Sequence, residues 1–144
     1  MGATPWSCST EYAEPLQETL VKLRHKTFLA EVASDPSQYK TGDAIDEGIA
    51  EYVEECDADG TCSILDIEAI TTEPENFDYG TACPLTSESL IEFFGSDKPD
   101  KSLLARVERI DGLYEMIDRG QALYIPFYDQ GKPAVLYFLG YSYD

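Results

Sequence analysis

The middle of this chain lacks basic side chains altogether. From Thr41 to Asp97 there are 16 acidic residues and no Lys, Arg or His, so these 57 residues, here called the acidic segment, carry a formal charge of −16. The residues on either side are close to neutral, and the full chain of 144 residues has a formal net charge of −18. Because phosphate backbones and anionic membranes attract clustered Lys and Arg, this balance argues against nucleic acid and membrane as partners.

Targeting segments and familiar catalytic motifs are also missing. No stretch approaches the roughly 20 apolar residues that span a bilayer. The first residues have neither a basic region nor an apolar run, which predicts a cytoplasmic protein. There is no P-loop, dinucleotide fingerprint, nucleophile elbow or H-E-x-x-H pattern. The one histidine, His25, has no nucleophile or orienting partner near it in the sequence. We therefore predict no catalytic residues.

Apolar and aromatic residues are plentiful enough for a folded core. Hydrophobic residues make up 43% of the chain and aromatic residues 12%, including ten Tyr and six Phe. This content opposes the disorder that the charge alone would suggest. The length is typical of one domain covering residues 1–144. The four cysteines have no zinc or redox spacing, and in a cytosolic protein they are expected to be free thiols.

Hydrophobic periodicity predicts both strands and helices. The predicted strands are Trp6–Tyr12, Ser63–Ile67 with an extension over Ile70–Thr72, and a C-terminal hairpin of Ala122–Tyr128 and Val135–Tyr141. Four helices are predicted. The first begins at Glu14-Pro15, the second runs from its N-cap Asp43 to Cys56, the third from Thr86 or Ser87 to Phe94, and the fourth from Asp97 to Gly120. The fold prediction is one α+β domain, with a mainly antiparallel sheet of about four or five strands packed against three to four helices.

Tyrosines alternate with aliphatic residues along the predicted hairpin. Tyr124, Tyr128, Tyr137, Tyr141 and Tyr143 recur among Leu, Ile and Phe residues. Either one face presents a row of tyrosines for recognition, or both faces are packed against other elements. The sequence leaves these two interpretations open.

A calcium-loop pattern follows the second predicted helix. Asp57 and Asp59 occupy positions three and five of a twelve-residue loop that begins at Glu55, and Thr61 could offer its carbonyl at position seven. Asp66 stands at position twelve, where a bidentate Glu is usual. Asp and Gly clusters are equally typical of turns. We keep Asp57, Asp59, Thr61 and Asp66 as weak metal candidates, with calcium as the only cofactor considered.

The acidic segment also predicts a binding surface. A face that serves only solubility normally mixes charges of both signs, whereas this segment contains no cation. We expect a docking surface for a basic protein, formed by acids on the second helix and at its end: Asp46, Glu47, Glu51, Glu54, Glu55, Asp57 and Asp59. If the fold scatters these acids around the molecule, the charge is better explained as a feature that keeps the protein soluble.

Three stretches together resemble a family of small acidic bacterial proteins of uncharacterised function. They are Asp59–Ile67, Pro84–Leu90 with Phe94-Gly95, and Arg119–Ile125 with Gly140–Asp144. This resemblance implies no activity, cofactor or catalytic residue. In size and charge alone, the chain is similar to immunity proteins that neutralise basic nuclease toxins.

The function expected from the sequence is therefore binding without catalysis. The leading hypothesis is an inhibitor or immunity-type protein that docks on a basic protein partner. The alternatives are a calcium-binding domain using the Asp57–Asp66 loop and an unrecognised hydrolase that uses buried carboxylates.

Overall fold

A mixed five-stranded sheet organises the chain. The computed structural model describes residues 3–74, 76–110 and 112–143. The strands are β1 (Pro5–Glu11), β2 (Ala69–Ile70), β3 (Thr81–Pro84), β4 (Ala122–Asp129) and β5 (Lys132–Tyr141), in the spatial order β1-β5-β4-β3-β2. The pairs β1–β5 and β5–β4 are antiparallel and long, whereas β4–β3 and β3–β2 are short and parallel. The predicted α+β fold and its C-terminal hairpin are confirmed.

Helices cover both faces of this sheet. On one face lie α1 (Leu16–Thr27), a π-helical extension (Phe28–Val32) and α2 (Gly42–Cys56). On the other lie α3 (Ser87–Phe94) and the 3₁₀ segments Lys101–Arg109 and Tyr114–Met116. Strand residues alternate between the two cores: Tyr124 and Phe138 pack with α1, whereas Leu123 and Leu139 pack with the α3 side. A third apolar cluster joins α2 to the π-helical extension.

Both faces of the C-terminal hairpin are packed, so a row of tyrosines is not presented to solvent. Tyr124 and Tyr137, which lie on opposite faces, are both buried. The sheet order explains this result, because β4 and β5 are interior strands with helices on each side. The alternative of two packed faces is the correct one.

Three local predictions were wrong. Ser63–Ile67 is not a strand: Ile64–Asp66 is a 3₁₀ turn, in which the Ser63 hydroxyl accepts a hydrogen bond from the Leu65 N–H. The N-cap of α2 is Thr41 rather than Asp43, since the Thr41 hydroxyl accepts from the Ala44 N–H. The long helix from Asp97 to Gly120 is instead two 3₁₀ segments, and Gly112 between them has a φ of +95°, which ends a right-handed helix.

Two further observations concern the chain as a whole. Cys8, Cys56 and Cys62 are free thiols, as predicted; Cys62 is exposed, whereas Cys83 is fully buried. Across the described residues, none of the helices has the length and apolar character needed to cross a membrane.

Candidate functional site

The acids of α2 form one surface. Ile45, Gly48 and Ile49 are the buried side of the helix, and they face the cluster that contains Phe28 and Leu65. With 100° between successive residues, the acidic positions fall on the half of the helix that turns away from this cluster. All of them are exposed: Asp43, Asp46, Glu47, Glu51, Glu54 and Glu55.

The chain continues this surface beyond the end of α2. Asp57, at a φ of 53°, leaves the helical path and opens the 3₁₀ turn Asp57–Asp59. Asp57 and Asp59 are both exposed there. The seven predicted partner-binding residues therefore lie together with Asp43 on α2 and its end. We call these eight residues the α2 acidic surface.

The rest of the acidic segment lies elsewhere. Glu68, Glu73 and Asp78 belong to the polypeptide around β2, whereas Glu88 and Glu92 are on α3, across the sheet from α2. Glu75 lies outside the described residues. The segment is thus divided: half of its 16 acids form one continuous surface and the remainder are spread over the molecule. The scattered acids are explained by solubility, whereas the prediction of a docking surface depends on the eight acids of the α2 acidic surface.

One acid of the α2 acidic surface has a side-chain hydrogen-bond partner. The Nε2 of His25, on α1, lies 2.7 Å from the Oδ1 of Asp46. Within residues 3–74, 76–110 and 112–143, the salt bridge of a Lys or Arg joins Lys101 to Asp129, away from this surface. The carboxylates of the α2 acidic surface therefore repel one another, and none of them forms a salt bridge with a Lys or Arg of the described residues. Such a surface attracts cations from solution more strongly than one with mixed charges.

A groove runs between α1 and α2 beside this surface. Its volume is about 520 Å³, within the usual range for ligand clefts. Apolar side chains line it together with three carboxylates and one guanidinium: Val21, Ile49, Ala50 and Val53, then Asp46, Glu54 and Glu68, then Arg24. This combination suits the apolar stem and charged end of a Lys or Arg side chain.

Arg24 is held in place by the surrounding protein rather than solvated. Its Nη2 donates to the backbone oxygen of Leu65 at 3.0 Å, and its Nε is buried without a hydrogen-bond partner. Burial lowers the pKa of Arg24, while Glu68, Asp46 and Asp66 oppose that shift. Sequence reasoning missed Arg24 and Glu68 as groove residues, because their packing depends on contacts between separate elements.

The calcium-loop candidates do not converge. Asp57 and Asp59 point into solvent, whereas Asp66 is only 4% exposed and its Oδ1 accepts a hydrogen bond from the Thr61 N–H at 2.8 Å. The Thr61 hydroxyl lies 2.9 Å from that of Ser63. In the described part of the chain, no three His, Cys, Asp or Glu side chains are grouped as a metal site. Calcium binding stays an untested prediction.

Asp66 is a structural carboxylate in this arrangement. Burial raises its pKa, and hydrogen bonds from Thr61 and Cys62 oppose that shift. Its Oδ2 is buried without a partner and faces Gly60, where an added Cβ would lie 2.9 Å from it. Asp66 thus closes the turn after α2, and the hydrolase alternative stays an untested prediction.

Comparison of this chain with protein-family models, curated proteins and solved structures found no match. The resemblance to small acidic bacterial proteins and the likeness to immunity proteins therefore stay predictions.

Proposed function

We propose that this protein binds a basic protein partner through the α2 acidic surface, and that it acts by binding rather than by catalysis. The observation that carries this proposal is the set of eight exposed carboxylates on one helix and its end, none of which forms a salt bridge with a Lys or Arg of the described residues. An inhibitor or immunity-type protein is the class of binder that fits a compact acidic domain of this kind. The likeness is one of chemistry, not of shared motifs.

Electrostatics gives this surface a defined role in association. Complementary charge raises the rate of encounter more than it strengthens the final complex, and the effect weakens with salt. The groove between α1 and α2 adds a place for one anchoring Lys or Arg of the partner, since the carboxylates of Asp46, Glu54 and Glu68 outnumber the Arg24 guanidinium among its lining side chains. Buried anchors of that kind contribute most of the binding energy at protein interfaces.

Two charge-matched variants test the proposal. The first neutralises α2 through Glu47→Gln, Glu51→Gln, Glu54→Gln and Glu55→Gln. The second neutralises four exposed acids elsewhere through Glu73→Gln, Asp78→Asn, Glu88→Gln and Glu92→Gln. Both variants lose the same charge, so any difference between them reports position. Each protein is immobilised and exposed at low salt to an extract of the organism that encodes it.

We expect the wild type and the second variant to retain a common basic protein that the α2 variant loses. Its association rate with the wild type should fall steeply as salt rises, and this dependence should be weaker for the α2 variant. Recovery of no basic protein, or equal loss in both variants, contradicts the proposal.

A further inference from the structure

Among the described residues, β1 is an edge strand and pairs only with β5. At the end of β5, the N–H of Tyr141 donates to the backbone oxygen of Gln121, beside β4, and the N–H of the next residue, Ser142, donates to the backbone oxygen of Thr4, beside β1. Successive residues of a strand therefore alternate between the two neighbours. At one end of β1, the backbone oxygen of Thr4 accepts from Ser142; at the other end, the N–H of Tyr12 donates to the backbone oxygen of Ala134. The even-numbered residues of β1 therefore direct their backbone N–H and C=O groups toward β5.

The odd-numbered residues of β1 must then direct their backbone groups outward. By this alternation the N–H groups of Ser7, Ser9 and Glu11 point away from β5, the strand that pairs with β1 in the described part of the chain. The register with β5 is continuous from Pro5 to Glu11, and the strand contains neither a bulge nor a lysine. Natural edge strands carry bulges, charged side chains or Pro to prevent pairing with another chain, and β1 has only Pro5 at its first residue and Glu11 at its last. The backbone between these two residues is therefore open to a further strand.

A polar pocket adjoins the same edge, on the face that carries the Ser7 side chain. Pro5, Trp6, Ser7, Glu108, Tyr114 and Tyr141 line its volume of about 460 Å³. The Ser7 hydroxyl donates to Glu108 Oε1 at 3.1 Å, and the Tyr114 hydroxyl donates to the Trp6 carbonyl at 3.1 Å. The rings of Tyr114 and Tyr141 meet edge to face at 5.3 Å. One carboxylate and two tyrosine rings are a suitable environment for a Lys or Arg head group.

We propose that the β1 edge binds an extended basic segment of a partner protein as a sixth strand. Its backbone pairs antiparallel with Ser7, Ser9 and Glu11, and a Lys or Arg opposite Ser7 enters the pocket beside Glu108. Residues directly opposite in a sheet lie on the same face, so that side chain is directed to the pocket. A second copy of this chain is a poorer occupant, because each copy carries −18.

This site is separate from the α2 acidic surface, so the two proposals can fail independently. The probe is a fluorescent eight-residue peptide of alternating Thr and Lys, followed by fluorescence anisotropy. In the proposed pairing, the N–H groups of the Lys residues face β1 and those of the Thr residues face solvent. Methylation of the backbone nitrogens of every Lys should therefore weaken binding at least about tenfold, whereas methylation at every Thr should change it less than about twofold.

Those two methylated peptides have the same charge, so their comparison removes the general attraction to an acidic protein. Equal binding of both overturns the proposal, whatever the behaviour of the protein variants.

Protein variants give a second test. Ser9→Pro removes an outward N–H and should weaken peptide binding about tenfold, whereas Ser9→Ala, which keeps that N–H, should not. Glu108→Gln should also weaken binding of the Lys peptide but leave that of an uncharged alternating Thr–Gln peptide unchanged. The four-residue α2 variant should retain the difference between the two methylated peptides. Full affinity of Ser9→Pro, or a wild-type dimer that Ser9→Pro dissociates, would refute the assigned occupant.

Discussion

Gly140 provides the most direct test of how the sheet is packed. It pairs with Trp6 across β5 and β1. A Cβ at this position would lie 2.7 Å from Cε2 of the indole ring and 2.9 Å from the backbone oxygen of Gln121. Trp6 is only 8% exposed, so its ring has little room to move away. Gly140→Ala should therefore strain the contact between β1 and β5.

The expected magnitude follows from two opposing effects. Overpacking of a rigid core contact costs about 1–3 kcal/mol, while Gly→Ala at an ordinary φ gains about 0.4–1 kcal/mol through the unfolded chain. The net loss in free energy of unfolding should be about 1–2 kcal/mol, which corresponds to a fall in Tm of roughly 2–8 °C. Trp6 is the only tryptophan, so its fluorescence should also report the displaced ring.

A double-mutant cycle identifies the cause. If the ring is the obstacle, Gly140→Ala should destabilise a Trp6→Leu protein by at least about 1 kcal/mol less than it destabilises the wild type, as measured by urea unfolding. Gly42→Ala is the matched control: its nearest neighbour would be His25 Cε1 at 3.6 Å, an ordinary contact, so no loss is expected. A Gly140→Ala protein as stable as the wild type, or an equal loss in both backgrounds, would refute the packing argument.

Two further predictions concern titratable groups. Because burial raises the pKa of Asp66 in the folded state, its contribution to stability is fully present below the unfolded-state pKa of about 3.9 and is lost as the pH rises through the folded-state pKa. In urea unfolding, the stability of the wild type relative to Asp66→Asn should therefore fall as the pH rises above about 4. A constant or rising difference would contradict this. A thiol reagent at pH 8 should modify exposed Cys62 first, and should modify Cys83 only on unfolding and Cys8 slowly, since burial raises the pKa of Cys8 to about 12; similar rates at Cys62 and Cys83 would show that the core opens readily.

Elements with a strong local pattern could be predicted from the sequence. The apolar spacing of Leu16, Leu20 and Leu23 indicates α1, and Thr86 with Gly95 delimits α3 as an N-cap and a left-handed C-cap. The hairpin of β4 and β5 follows from two aromatic runs around a glycine-containing turn. In these cases local propensity and tertiary packing favour the same structure.

The wrong predictions arose where tertiary packing decides. Ile64, Leu65 and Ile67 are all buried, and a short apolar run fits a 3₁₀ turn between two cores as well as a strand. β3 (Thr81–Pro84) has four residues and no alternation, so only its place between β2 and β4 makes it a strand. The helical spacing from Leu103 to Ile117 also satisfies 3₁₀ segments that pack one apolar side on the sheet.

The candidate site was predictable only in part. The acids of α2 follow from helical periodicity, because a single element carries them. The groove and the β1 edge each combine distant positions, such as Arg24 with Glu68 and Ser7 with Glu108. The groove and the β1 edge form only when particular helices and strands become neighbours in the fold, and hydrophobic periodicity does not indicate which elements do so.

The pairing of β1 with β5 also affects when the chain can fold during its synthesis. Thr4 and Ser142, which are 138 positions apart, are joined by a hydrogen bond from the Thr4 N–H to the Ser142 hydroxyl at 2.9 Å. During translation, β1 and α1 emerge early, but Trp6 and Leu20 cannot be enclosed until the ribosome has released β5. The nascent chain therefore carries unburied apolar side chains from the synthesis of β1 until β5 has emerged. Repulsion among its many carboxylates keeps neighbouring nascent chains apart in that interval.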